Sequence, residues 1–74
     1  MSRLIRMDHT GHTTLAEWTA DDPAAVDAAV FAFEAELARG AFGMVTTGEG
    51  HAEQVTELPI GAGLVIMRRP IAGG

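Results

Sequence analysis

Three groups of residues in this chain have side chains or backbone of the kind that does chemistry. The first is a polar stretch, Asp8-His9-Thr10-Gly11-His12, with His51 further along. Imidazoles and a carboxylate are metal ligands when an element holds them on one side. Only a loop would hold these, and there is no second histidine pair, so polar turn residues are the better reading. The second group would be a nucleophile with its base. There is no cysteine, and Ser2 is the only serine. No histidine–carboxylate relay surrounds it, so hydrolase chemistry has no foothold and the chain is not expected to be an enzyme. The glycine pairs Gly48/Gly50 and Gly61/Gly63 lack the longer glycine spacing or the lysine of a phosphate loop and read as turns. The third group is the ending, Arg68-Arg69-Pro70-Ile71-Ala72-Gly73-Gly74. Two final glycines alone are as easily a frayed tail. Their place directly behind an apolar last strand makes them the candidate site.

Those residues need elements to position them. Residues 2–7 read as a first strand with Leu4, Ile5 and Met7. Residues 8–12 break the pattern around Gly11, and 13–18 resume it, which makes a hairpin. Asp22 can cap a helix, and Pro23 suits its first position. Asp21, Asp22 and Asp27 put negative charge at the positive end of the helix dipole. Val26, Val30, Phe33 and Leu37 recur at helical spacing as the face toward a sheet. Arg39 suits the last turn and Gly40 the left-handed position beyond it. The spacing therefore predicts a helix over 23–39. A third strand over 41–47, a polar connection over 48–53 and a short edge strand over 54–58 follow, the last ended by Pro59. After a turn over 59–63 comes the last strand, 64–68, whose apolar run Leu64-Val65-Ile66-Met67 marks it as buried on both faces or central in a sheet.

Bulk properties set limits. The 74 residues make one domain, and a chain of that size buries only about 60% of the surface its unfolded form exposes. Without cysteine no disulfide can help, so apolar packing must hold it. A hydrophobic content of 47% suits a globular fold. The net charge of −5 makes a nucleic-acid backbone a poor partner. The longest apolar run is far too short to cross a bilayer, and no apolar segment follows Arg3 and Arg6 as in a signal peptide. A soluble, cytoplasmic protein is expected. All five basic residues are arginine, so lysine is absent.

The element order β-β-α-β-(β)-β, with one long helix, predicts an α+β fold. It implies a mixed four- to five-stranded sheet, the helix across one face, a right-handed crossover through the helix and the terminal strand beside the first. This is the β-grasp arrangement, formed by residues 1–69, with 70–74 as a flexible tail. The ending resembles that of ubiquitin-like β-grasp proteins and is most similar to the small sulfur carriers of molybdopterin and thiamine biosynthesis. In those, an apolar last strand leads through a proline and an aliphatic residue into a small residue and Gly-Gly. The resemblance implies that an activating enzyme uses ATP to adenylate the Gly74 carboxylate, which then carries sulfur or is conjugated to an amine or thiol. No bound cofactor is implied. Gly73 and Gly74 let the backbone pass close to an enzyme's walls. Pro70, leading into Ile71 and Ala72, lowers the entropy lost when the tail is gripped. Arg68 and Arg69 are the basic residues ahead of the tail and candidate contacts for that enzyme. They sit one proline earlier than ubiquitin's, and the 59–63 turn is apolar where sulfur carriers usually have an acidic one. Carrier and modifier therefore both stay open, although without lysine this chain cannot build lysine-linked chains of itself.

A second partner surface is suggested by the helix. If Val26, Val30, Phe33 and Leu37 face the sheet, then Ala24, Ala28, Phe31 and Ala35 point away, with Asp27, Glu34 and Glu36 on the flanks. Small residues around an aromatic allow close approach of a partner or a second copy, with Phe31 as anchor. The alternative reading is thus a non-catalytic structural or interaction module, for example an oligomer or phage-type assembly component, that uses this face.

Overall fold

The helix forms where its caps are. In the computed structural model, which describes residues 1–48 and 51–69, α1 (Pro23–Ala38) begins behind Asp22. The Asp22 carboxylate accepts the Ala25 N–H at 3.2 Å, and Pro23 occupies a position that needs no amide proton. The far end closes in a Schellman pair. Gly40 N–H donates to the Leu37 carbonyl and Ala41 N–H to the Glu36 carbonyl, both at 3.0 Å. Gly40 takes φ 93° there, which a residue without Cβ adopts readily. Arg39 is the cap, so the helix stops one residue short of the expected span.

Around it lie β1 (Ser2–Asp8), β2 (Gly11–Trp18), β3 (Phe42–Gly48), β4 (His51–Val55) and β5 (Leu64–Arg68). They form one mixed sheet in the order β2-β1-β5-β3-β4. The hairpin β1–β2 is antiparallel, with a bulge that leaves Leu15 unmatched between the pairs Leu4–Ala16 and Ile5–Thr14. β5 inserts in the middle, parallel to β1 and antiparallel to β3. The fold is α+β, and its strand order is compatible with a β-grasp.

Register separates the two faces of the sheet. Leu4, Val65 and Val45 lie side by side across β1, β5 and β3. All three are buried and pack with Trp18, Ala29, Phe33, Ala41 and Met67 beneath α1. Ile5, Ile66 and Met44 form the next row, and alternation turns them to the face that α1 leaves uncovered. Trp18 also ties down the turn before β5, donating its Nε1–H to the Ile60 carbonyl at 3.0 Å. Gly43 sets how closely the layers approach, since a Cβ there would stand 2.7 Å from Phe33 Cε1. The Phe33 ring therefore rests directly on strand backbone.

Three expectations change. The edge strand is at His51–Val55, three residues earlier than expected, so that it takes in the end of the stretch read as a polar connection, and Thr56 to Leu58 bends away from it. β4 is defined by backbone pairing to β3, from Gly48–His51 to Gly43–Val55. Its side chains are exposed up to the half-buried Val55, so no alternation betrays it. β5 is central but buried on one face only, with Leu64 and Ile66 on the uncovered side. The inward helix face is also rotated from the one expected. Ala29, Phe33 and Glu36 are its buried residues, while Val26, Val30 and Leu37 are half-buried. Glu36 is therefore not a flank residue, and Ala35 is half-buried instead of pointing outward.

Candidate functional site

The last strand delivers the candidate site, and its own core side chains hold it. Val65 and Met67 are fully buried, and β5 is hydrogen-bonded on both edges. Because β5 runs parallel to β1, the C-terminal ends of both strands reach the same end of the sheet. Arg68 and Arg69, both exposed, emerge there beside the end of β1. With Arg6, Met7, Asp8 and His9 they line an open groove of about 750 Å³.

The groove is cationic. It holds three of the chain's five arginines, in a molecule whose net charge is −5. Its one carboxylate, Asp8, is engaged locally, with Oδ1 accepting the Thr10 hydroxyl and the Thr10 N–H, the latter at 2.8 Å. The hydroxyl first, then the backbone N–H, lower the Asp8 pKa from its ordinary 3.8. A small desolvation opposes them, and the nearby charges of His9 and Arg6 add slightly. Among the described residues neither Arg68 nor Arg69 has a carboxylate within ion-pair distance.

Arg6 connects the groove to the interior. Its Nη1 lies 3.5 Å from Glu36 Oε2, and Arg39 Nη1 lies 3.7 Å from the same oxygen. Glu36 is only 4% exposed, and its Oε1 has no hydrogen-bond partner among the described residues. A buried carboxylate with one lone oxygen costs several kcal/mol of desolvation, about what its cations must return.

The candidate residues named from the sequence fall into three places. Pro70, Ile71, Ala72, Gly73 and Gly74 lie outside the described residues. Arg68 and Arg69 are at the strand exit. Phe31, 78% exposed, and the exposed Ala28 lie on the outer side of α1, with half-buried Ala35 beside them. The tertiary structure thus puts the arginines and the Phe31 group on opposite sides of the two layers and does not join them. Sequence reasoning missed Arg6, Met7, Asp8 and His9 as groove walls. Their only signal was the inference that the last strand pairs with the first. It also missed Glu36, whose one trace in the sequence is its three-residue spacing to Arg39.

Among the described residues no three His, Asp or Glu side chains converge as metal ligands would. No helix among them is long and apolar enough to cross a membrane. No family model, curated protein or solved structure matches this chain.

Proposed function

We propose that this chain is a ubiquitin-like carrier or modifier that works through its C-terminal glycine. In this reading an activating enzyme binds the domain and its arginine-bearing strand exit. A Gly74 carboxylate oxygen attacks the α-phosphorus of ATP and pyrophosphate leaves. A sulfur nucleophile, thiol or amine then attacks the carbonyl carbon of the acyl-adenylate and displaces AMP. A free carboxylate is a poor acyl donor, so adenylation supplies the leaving group that this chain lacks.

The observation that carries the reading is the position of β5. It is a central, doubly paired strand, anchored by Val65 and Met67. It ends at exposed Arg68, and the sequence continues as Arg69-Pro70-Ile71-Ala72-Gly73-Gly74. A strand so fixed gives the residues beyond it a defined point of departure. The sulfur-carrier form is favoured by the proline–aliphatic–small–Gly-Gly ending.

The test is intact mass after incubation with an adenylating enzyme of the ubiquitin-activating type, ATP and a sulfur donor that together convert a known sulfur carrier. The expected product is an adenylate, thiocarboxylate or conjugate, lost when Gly74 is deleted. An unchanged mass for the wild type would refute the reading.

One observation favours a second reading. Phe31 is 78% exposed on a helix side that also carries Ala24 and Ala28, which suits a structural or interaction module. Sedimentation distinguishes it, because association that Phe31→Asp abolishes supports a module and a monomer indifferent to that change does not.

A further inference from the structure

We propose that the groove between α1 and residues 56–58 is a docking site for an arginine side chain on an exposed segment of a partner protein. The groove holds about 250 Å³ and is lined by Val30, Phe33 and Glu34 from the helix and by Thr56, Glu57 and Leu58 from the chain that leaves β4. Its floor is apolar. Phe33 is buried on Gly43, and Val30 and Leu58 are half-buried. Its rim is polar, with Glu34, Thr56 and Glu57 all exposed. An apolar trough with two carboxylates on its rim matches one kind of side chain, a long methylene stem that ends in a cation.

The charge around the groove is one-sided. Asp27 and Glu34 occupy the same flank of α1, with the exposed Phe31 between them. Register pairs Glu53 with the core residue Val45, which puts the exposed Glu53 on the helix side of the β4 edge. Among the described residues the ion pairs join Arg3 to Glu17 and both Arg6 and Arg39 to Glu36. None reaches Asp27, Glu34, Glu53 or Glu57. Carboxylates left uncompensated around an apolar trough select a cation, and they repel a nucleic acid or an anionic lipid surface. Arginine fits better than lysine, because its planar fork reaches two carboxylates at once and it is more weakly hydrated. The Phe31 ring, one turn from Glu34 and 78% exposed, adds a face on which the guanidinium can rest. A second copy offers free arginines only at its strand exit, Arg68 and Arg69, and like charge of −5 on both chains opposes the approach. The occupant is therefore a basic segment of a different protein.

This groove shares no residue with the tail or the strand exit, and its test needs no ATP. Its failure and a failure of the tail chemistry are therefore separate results. The probes are three end-blocked peptides, leucine–X–leucine–X–leucine with X arginine, lysine or citrulline, each titrated into the full chain by NMR. The arginine peptide should move the amide signals of Val30, Phe31, Glu34, Thr56, Glu57 and Leu58. Citrulline keeps the stem and the planar end without the charge and should bind about tenfold more weakly or worse. Lysine should fall between them. Glu34→Gln and Glu57→Gln keep the side-chain size at exposed positions and should each cost about tenfold, whereas Glu17→Gln, with the same change of net charge, should leave binding within about twofold. Unchanged Trp18 fluorescence would show that the variants fold. No binding of the arginine peptide, equal binding of the citrulline peptide, equal loss in all three glutamine variants, or signal changes centred elsewhere would each overturn the proposal. Self-association through Glu34 and Glu57, seen by sedimentation, would overturn it as well, because the occupant would then be a second copy.

Discussion

Replacing Arg6 by methionine should destabilise the domain, and replacing its buried partner as well should restore it. Glu36 is 4% exposed, its Oε1 is unpartnered, and Arg6 Nη1 is the nearer of two cations to Oε2. Removing one member of a buried ion pair costs about 3–5 kcal/mol. The discount here has three sources: the 3.5 Å separation is at the long limit of a hydrogen bond, the Arg6 side chain is 33% exposed, and Arg39 remains at 3.7 Å. The expected loss is thus about 1–3 kcal/mol, a large share of the roughly 4–11 kcal/mol that a domain of this size commands. It corresponds to a fall in Tm of about 6–19 °C. Arg6→Met with Glu36→Leu replaces both charges by apolar groups, which is commonly neutral or stabilising by about 1–4 kcal/mol for a buried pair. The double change is therefore expected to recover what the single change loses, and a double-mutant cycle isolates the coupling. Urea unfolding followed by fluorescence measures both. Trp18 is the only tryptophan and is 1% exposed, so its signal reports the core. A change in midpoint at constant slope reads stability alone. If Arg6→Met stays within about 0.5 kcal/mol of wild type, or the double variant is no better than the single, then Glu36 is not a buried charge dependent on Arg6.

Gly43→Ala should cost about 1–3 kcal/mol by forcing Phe33 off the strand, less a few tenths gained from unfolded-state entropy; thermal unfolding should show the loss, and Phe33→Leu in the same chain should recover part of it. Asp8 should titrate below 3.8 in an NMR pH series, and Thr10→Val should raise its pKa toward that value while the Thr10 N–H contact remains. Because the folded pKa is the lowered one, the stabilisation from this turn is present above the unfolded pKa and is lost as pH falls through the folded value. Asp22→Ala should cost about 1 kcal/mol by leaving the Ala25 N–H without its cap, and Asp22→Asn should recover most of it by the same melting measurement.

Much of the architecture could be read from residues acting locally. Asp22, Pro23 and Gly40 bracket the helix because a carboxylate, a missing N–H and a missing Cβ act within one turn of where they stand. The run Leu64-Val65-Ile66-Met67 announced a central strand, and β5 does pair on both edges, although only Val65 and Met67 are buried. What local pattern could not supply were relations across the chain. β4 has no alternation to betray it, because its partner's backbone and not its side chains makes it a strand. Glu36 looked like a solvent-facing flank residue until packing of Ala29 and Phe33 turned it inward against Arg6, a strand residue thirty positions away. The groove exists only because β5 lies parallel to β1 and brings Arg68 and Arg69 beside Met7 and Asp8. By itself the sequence determined the helix, the order of the elements and the chemistry of the tail's residue types. The tertiary structure alone decided which charges meet and which apolar face is left open, because burial and pairing are properties of neighbours that the chain order does not hold side by side.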